Sequence, residues 1–310
     1  MIKVDLITGF LGSGKTTFLK KYVQYFLDKG QKIGILENDY GAVNVDMLLL
    51  NDLRSENCEL EMVAGGCDAD CHRRRFKTKL ISMGMSGYDR VIIEPSGIFD
   101  VDEFFDSLRD EPLDRWYEIG NVITIVDAKL EDSLSEDSDF FLASQIANAG
   151  KIVLSRTQLT DTDTINNTIS HLKAAADKAK LDKDIDSIIF DKDWNNLTEQ
   201  DYESLASCGY SKHSYIKKLG TDDTGFKTVY FLELPLKKDG LKEKIDTLMS
   251  DPSFGTILRA KGFFQENDTW YQFNATKADF TLTEMPVGQQ VFIVIGEEIA
   301  EDKVKEFFTK

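Results

Sequence analysis

Residues 9–16, Gly9-Phe-Leu-Gly-Ser-Gly14-Lys15-Thr16, match G-x-x-x-x-G-K-[ST] without a mismatch. The pattern has chemical meaning only between a strand and a helix, and both are predicted here. Residues 2–8 read as a buried strand, and Phe18, Leu19, Tyr22, Val23, Phe26 and Leu27 recur at helical spacing over 17–28. Glycines let successive N–H groups turn inward around phosphate oxygens, and the following helix adds the partial positive charge of its N-terminus. The expected phosphate contacts are Gly9, Gly12, Ser13, Gly14, Lys15, Thr16 and Thr17. Lys15 is expected to reach the β- and γ-phosphates, and Thr16 to place its hydroxyl on Mg²⁺.

The rest of the chain fits that start. Strand-like runs end at Glu37, Ala64, Ile93, Val126, Leu154 and Phe190, and helical periodicity falls between most of them. Such alternation predicts an α/β domain, a mainly parallel sheet covered on both faces. The pattern changes near the polar stretch Thr221-Asp-Asp-Thr-Gly225, after which strands and two helices form a smaller α+β unit. The expected division is 1–221 for nucleotide binding and 222–310 for the second unit. A formal net charge of −17 over 310 residues argues against generic nucleic-acid binding, which requires a basic face. No run is long enough to span a membrane, no signal peptide is apparent, and four cysteines do not make a disulfide framework. These features predict a cytoplasmic protein with neither membrane nor nucleic acid as a partner.

Several stretches beyond the P-loop carry a family resemblance. Glu37-Asn-Asp-Tyr-Gly41 with Asp46, Gly66-Cys67, Glu94-Pro-Ser-Gly97 and Val126-Asp-Ala128 resemble, in order and spacing, the CobW-type branch of the P-loop GTPases that includes HypB and UreG. Arg259-Ala-Lys-Gly262 with Trp270 and Phe273 resembles the CobW carboxy-terminal domain. The resemblance implies GTP hydrolysis tied to delivery of a metal or metal cofactor. It also implies a client metalloenzyme or cofactor-assembly protein as partner, and a nucleotide-dependent homodimer.

Three departures from the family pattern are informative. The element Gly-Cys-x-Cys-Cys is here Gly66-Cys67-Asp68-Ala69-Asp70-Cys71-His72, and a usual glutamate after the second strand is Ala42. Ser155-Arg156-Thr157-Gln158 stands where Asn-Lys-x-Asp is expected. An aspartate accepts from both adjacent N–H donors of guanine, whereas Gln158 offers one acceptor oxygen and an NH₂ group. Guanine preference is therefore expected to weaken, with GTP first and ATP as the alternative. Ser155, Arg156 and Gln158 form the expected base site, Arg156 packing its flat guanidinium over the base.

Glu94 ends an apolar strand beside the phosphates, where it can hold Mg²⁺ or orient the attacking water, and the Gly97 amide is suited to a γ-phosphate. Asp127 either serves the ligand or caps a turn. Cys67, Asp70, Cys71 and His72, with Glu37 and Asp39, are candidate ligands for Zn²⁺ or Co²⁺. Against that, adjacent Cys71 and His72 point different ways in a helix, and a nucleotide-switched remodelling factor without metal cargo is the alternative function. Arg73, Arg74 and Arg75 are either a solvated face or a source of phosphate or partner contacts.

Overall fold

A computed structural model describes residues 1–39, 49–64, 69–97, 101–130, 134–211, 226–232, 234–277, 279–286, 288 and 290–309, without the side chains of Asp39, Ala64, Ala69, Asp70, Asp137 and Phe226. The chain divides into two compact units, Met1–Lys218 and Leu219–Lys310. Among the described residues no helix is long and apolar enough to cross a membrane.

The first unit is a seven-stranded sheet in the order β3-β2-β4-β1-β5-β6-β7, built from β1 (Ile2–Gly9), β2 (Ile33–Asp39), β3 (Cys58–Ala64), β4 (Arg90–Pro95), β5 (Tyr117–Asp127), β6 (Lys151–Ser155) and β7 (Ile189–Phe190). Every pairing is parallel. Parallel strands are joined by crossovers, so helices lie on the faces and both faces are dry. That is why β4 reads Arg-Val-Ile-Ile-Glu-Pro and is buried at every position. The helices are α1 (Lys15–Asp28), α2 (Ala69–Gly84), α3 (Val101–Arg109), α4 (Leu113–Trp116), α5 (Glu136–Ala147), α6 (Thr162–Lys178) and α7 (Glu199–Ala206).

The centre of the sheet contains a charge. Asp5 is fully buried, and its carboxylate accepts from the Tyr22 hydroxyl at 2.8 Å, from Arg90, and from the Asn121 N–H at 2.9 Å. A buried carboxylate is tolerated only when paired and hydrogen-bonded. Strand β5 begins four residues before the apolar run 121–126 that marks it in the sequence, because Tyr117, Glu118 and Ile119 pair with Ile2, Lys3 and Val4. The register then slips between Val4 and Leu6, which are opposite Ile119 and Val122. This irregularity presents Asn121 to Asp5, and a Cβ on Gly120 would meet the Asp5 carboxylate at 2.4 Å.

The second unit is an antiparallel sheet in the order β11-β10-β9-β12-β8, made of β8 (Phe226–Phe231), β9 (Thr256–Glu266), β10 (Thr269–Ala275), β11 (Phe280–Met285) and β12 (Val291–Glu297). Helices α8 (Leu241–Ser250) and α9 (Glu301–Thr309) contribute Leu241, Ile245, Val304 and Phe308 to one apolar cluster with Phe264, Phe273 and Phe292.

Candidate functional site

Strand β1 lies between β4 and β5, so the loop that leaves it opens at the carboxyl ends of the central strands, where ligands of open α/β sheets collect. The approach to β5 is close. Gly9 has φ 143°, and a Cβ there would sit 2.1 Å from the Ile125 carbonyl oxygen, so no side chain fits. Gly14, with φ 97°, is the N-cap of α1, which begins at Lys15. The Lys15 side chain is buried and folds back over the loop, donating to the carbonyls of Gly9 at 3.1 Å and Phe10 at 3.4 Å. Ser13 is buried with its hydroxyl unpartnered among the described residues, Gly12 is buried, and Thr17 is exposed on the first turn of α1.

Thr16 and Glu94, which are 78 positions apart, meet: the Thr16 hydroxyl donates to Glu94 Oε1 at 2.8 Å. Glu37 is the register partner of Glu94 on the neighbouring strand, and both carboxylates are buried. Residues at one register position of parallel strands project to the same face. Two buried acids and a hydroxyl are a hard-oxygen set that suits a divalent ion such as Mg²⁺.

The residues after Glu94 are tied on two sides. The Ser96 N–H donates to the Asn38 carbonyl at 2.8 Å, and the Gly97 carbonyl accepts from Gln145 Nε2 at 2.8 Å. Gly97 also lies against the P-loop, because a Cβ on it would meet Leu11 Cδ2 at 2.7 Å and the Leu11 N–H nitrogen at 2.9 Å. Sequence reasoning did not single out Gln145. Its position between Leu142 and Ile146, which face the core from α5, was the available signal, since a polar residue there needs partners.

At the proposed base site Arg156 takes a left-handed conformation, φ 58°. Its guanidinium donates to the Gly12 carbonyl at 3.1 Å and to the Asp127 carboxylate, so β5, β6 and the P-loop are joined through one side chain. Asp127 also accepts from the Lys129 N–H at 3.0 Å, which is a turn cap. Ser155 is buried with an unpartnered hydroxyl among the described residues, and Gln158 is exposed. Trp194 sits beside the loop: a Cβ on Gly14 would lie 3.5 Å from its ring and 3.6 Å from Ser155 Cβ. It also packs edge-on against Phe18.

The candidate transition-metal ligands are only partly placed. Cys67 lies outside the described residues, as do residues 40–48 with Ala42 and Asp46, and the side chains of Asp39 and Asp70. Cys71 is partly exposed, whereas His72 is fully buried, its Nε2 2.7 Å from Asn38 Oδ1. The helical register explains this. His72, Phe76, Leu80 and Met83 recur every three or four residues and form the buried stripe of α2. Arg73, Arg74 and Arg75 are exposed, and Arg73 lies 3.7 Å from Glu103. Among the described residues no three His, Cys, Asp or Glu side chains converge on a point that could hold a metal ion.

The family model "CobW/HypB/UreG, nucleotide-binding domain" matches residues 3–183. The chain belongs to the CobW/HypB/UreG family. Within it, the chain is 29% identical over 187 residues to the zinc chaperone YjiA of Escherichia coli strain K12, covering 56% of each protein. It is 30% identical over 161 residues to the zinc chaperone YeiR of the same organism, covering 52% of this chain and 48% of YeiR. A third member, zinc-regulated GTPase metalloprotein activator 1 of Schizosaccharomyces pombe, is 23% identical over 335 residues, covering 96% of this chain and 80% of the activator. The chain thus spans about half the length of the two bacterial CobW/HypB/UreG relatives.

Proposed function

We propose that the chain is a P-loop nucleoside triphosphatase, with GTP as first substrate and ATP second, whose binding and hydrolysis gate the handover of a metal ion to a client metalloprotein. Family membership supports the nucleotide chemistry. The names of the relatives, zinc chaperones and a zinc-regulated metalloprotein activator, favour Zn²⁺ over Co²⁺ as the cargo. The observation that carries the reading is the Thr16–Glu94 hydrogen bond at 2.8 Å, with Glu37 buried alongside. It joins the P-loop to the end of β4, and the oxygens it brings together are those a magnesium–nucleotide needs.

Each side chain has a defined task in this reading. Lys15 exchanges its loop carbonyls for β- and γ-phosphate oxygens. Thr16 and Glu94 hold Mg²⁺, which when bound supplies charge neutralisation at the phosphates. Glu94 also orients the attacking water, and the Gly97 N–H faces the γ-phosphate. Arg156, fixed by Asp127 and Gly12, packs over the base, which Ser155 and Gln158 meet at its edge. Residues 1–221 form the nucleotide domain and 222–310 the CobW-like carboxy-terminal domain. A nucleotide-dependent homodimer in the cytoplasm completes the proposal.

Hydrolysis of GTP and ATP, measured side by side on the reduced protein with Mg²⁺, tests it. Slow turnover that Lys15→Ala abolishes is expected, with a GTP preference well below a thousandfold. Folded protein that binds neither triphosphate in calorimetry overturns the reading. One observation favours a second reading, a nucleotide-switched remodelling factor without cargo: His72 is fully buried with its Nε2 2.7 Å from Asn38 Oδ1, and the cysteine element departs in sequence from the family pattern. A Zn²⁺ titration decides between them. Stoichiometric binding supports cargo, and its absence with and without nucleotide supports remodelling.

A further inference from the structure

The first turn of α1 follows directly on the phosphate loop and has little of its own to hold it. Its N-cap, Gly14, sits at φ 97° with no side chain to accept an N–H, and no acidic residue stands in the turn. A side-chain cap or a carboxylate would stabilise the turn. Each would also occupy the N–H groups and the positive end that an anion needs. A helix end left open for a ligand has to be steadied from the side, by packing.

Trp194 is placed for that task. Around the point where a Gly14 Cβ would stand, the three nearest atoms are Trp194 Cη2 at 3.5 Å, Ser155 Cβ at 3.6 Å and Trp194 Cζ3 at 3.7 Å. The far edge of the indole therefore lies against the N-cap residue. The same ring packs edge-on against Phe18, with centroids 5.4 Å apart. Phe18 closes the turn that Gly14 opens, its N–H donating to the Gly14 carbonyl at 3.0 Å. One ring thus meets both ends of the first turn. Its own backbone is fixed, because Asp193 caps the 3₁₀ turn Trp194–Asn196 and accepts from the Asn195 N–H at 2.9 Å and Asn196 Nδ2 at 2.7 Å. The indole N–H is buried and has no partner among the described residues, so the ring is held by its shape. An unpaired buried donor costs free energy that a leucine or phenylalanine would not incur.

We propose that Trp194 is a positioning residue for phosphate binding, bracing the uncapped first turn of α1 from the side while its N–H groups stay free for the ligand. The inference rests on the reading of residues 9–16 as a triphosphate site and adds to it a residue from outside the motif. The ring reaches Gly14 from the side of β6, where Ser155 closes the same space. Without the far edge of the indole, Gly14 loses the contact that fixes it. The N–H groups then converge only when the ligand arrives, and the ordering is charged against affinity. That loss falls on the phosphate contacts, which every nucleotide shares, and spares the edge of the base.

The test compares affinities for GDP and for ADP, both with Mg²⁺, in the wild type, Trp194→Leu, Ser155→Asn and the double variant. Trp194→Leu keeps an apolar side chain and removes the far edge of the ring. It is expected to weaken GDP and ADP by the same factor, about tenfold or more. Ser155→Asn adds volume where the ring stands. Alone it is expected to weaken both nucleotides about threefold by crowding Gly14; in the Trp194→Leu background it is expected to recover most of the loss by filling the vacated space. A ring that only fills the core would lower the melting temperature and leave affinities of the folded Trp194→Leu protein within twofold of wild type, which overturns the brace. A loss confined to one base overturns it too, as does a Ser155→Asn effect of the same sign in both backgrounds. If Trp194→Leu does not fold, wild type labelled with 5-fluorotryptophan decides, its other two signals being assigned with Trp116→Phe and Trp270→Phe. The Trp194 signal is expected to move when inorganic tripolyphosphate, which carries no base, is added with Mg²⁺ at a concentration that displaces GDP. An unmoved signal overturns the proposal. Wild-type protein that binds no nucleotide at all removes the underlying functional reading instead.

Discussion

Glu94 is a charged group at the end of a strand that is otherwise apolar, and its surroundings define what a substitution there can do. The carboxylate is buried, accepts the Thr16 hydroxyl at 2.8 Å and stands in register with a second buried acid, Glu37. A divalent cation held between phosphate oxygens and these side chains would place opposite charge beside them at low dielectric. Glu94→Gln keeps an acceptor for Thr16 and removes one charge. It is expected to leave the fold intact and nucleotide affinity without Mg²⁺ unchanged. The affinity for Mg²⁺ in the nucleotide complex should fall at least tenfold, which a Mg²⁺ titration of the nucleotide-bound protein reads directly. Equal Mg²⁺ affinity in variant and wild type would show that the Thr16–Glu94 contact is a structural hydrogen bond only. Asp5 is also buried, and its carboxylate accepts from Tyr22, Arg90 and Asn121 within the sheet. It serves the sheet and needs no ligand.

Helix α7 puts Leu205 into the same apolar cluster as Phe18 and Trp194, and its first turn is closed by local hydrogen bonds. Thr198 accepts the Asp201 N–H with its hydroxyl oxygen, while the Asp201 carboxylate accepts from the Thr198 N–H at 2.7 Å, a reciprocal capping box. Trp194, four positions earlier, begins the turn that places its indole beside Gly14. Hydrogen bonds from Lys192 and then Thr198 hold the Asp201 carboxyl down at about 2. Because the folded value lies below the ordinary carboxylate range, the stabilisation is fully present above about pH 4 and is lost as pH falls toward 2. Thr198→Ala is expected to cost about 1 kcal/mol in urea unfolding at pH 7. Asp201→Asn should be less stable than wild type at pH 7, with the difference shrinking between pH 4 and pH 2; a difference constant with pH would mean that the charge contributes nothing. The sequence made elements of this kind readable where local chemistry decides them. The P-loop, the apolar strands and the helix after Thr162 are local signals, and the motif residues Gly9 to Thr16 fall between β1 and α1 as their spacing requires. Long-range pairings were not readable. Nothing in the one-dimensional pattern brings Arg156 to Asp127, Gln145 to Gly97 or His72 to Asn38, since each depends on strand order and register. His72 was nevertheless within reach, because its four-residue spacing from Phe76 puts it on the buried stripe rather than among solvent-facing ligands.

The two units differ in architecture, and each has its own apolar core. Val4, Ile93, Phe18, Ile125 and Leu154 belong to clusters drawn from the first unit, while Phe264, Phe273, Phe292 and Phe308 belong to one drawn from the second. The family match ends at residue 183, inside Met1–Lys218. Nucleotide bound at the P-loop therefore acts directly on one core. A ligand present at a hundred times its Kd adds about 2.7 kcal/mol to the opening free energy of whatever unfolds to release it. If each unit opens by its own cooperative transition, amides of β1, β4 and β5 that exchange through unfolding should slow by about a hundredfold in saturating magnesium–nucleotide, following that same linkage. Amides of β9, β10 and β12 should keep their rates. Hydrogen exchange followed by mass spectrometry, with and without ligand, resolves the two sheets on different peptides. Equal slowing in both would mean that the units open together, and that nucleotide energy reaches the carboxy-terminal sheet through global stability. Slowing confined to the parallel sheet would mean that the binding energy stays in the unit that holds the P-loop.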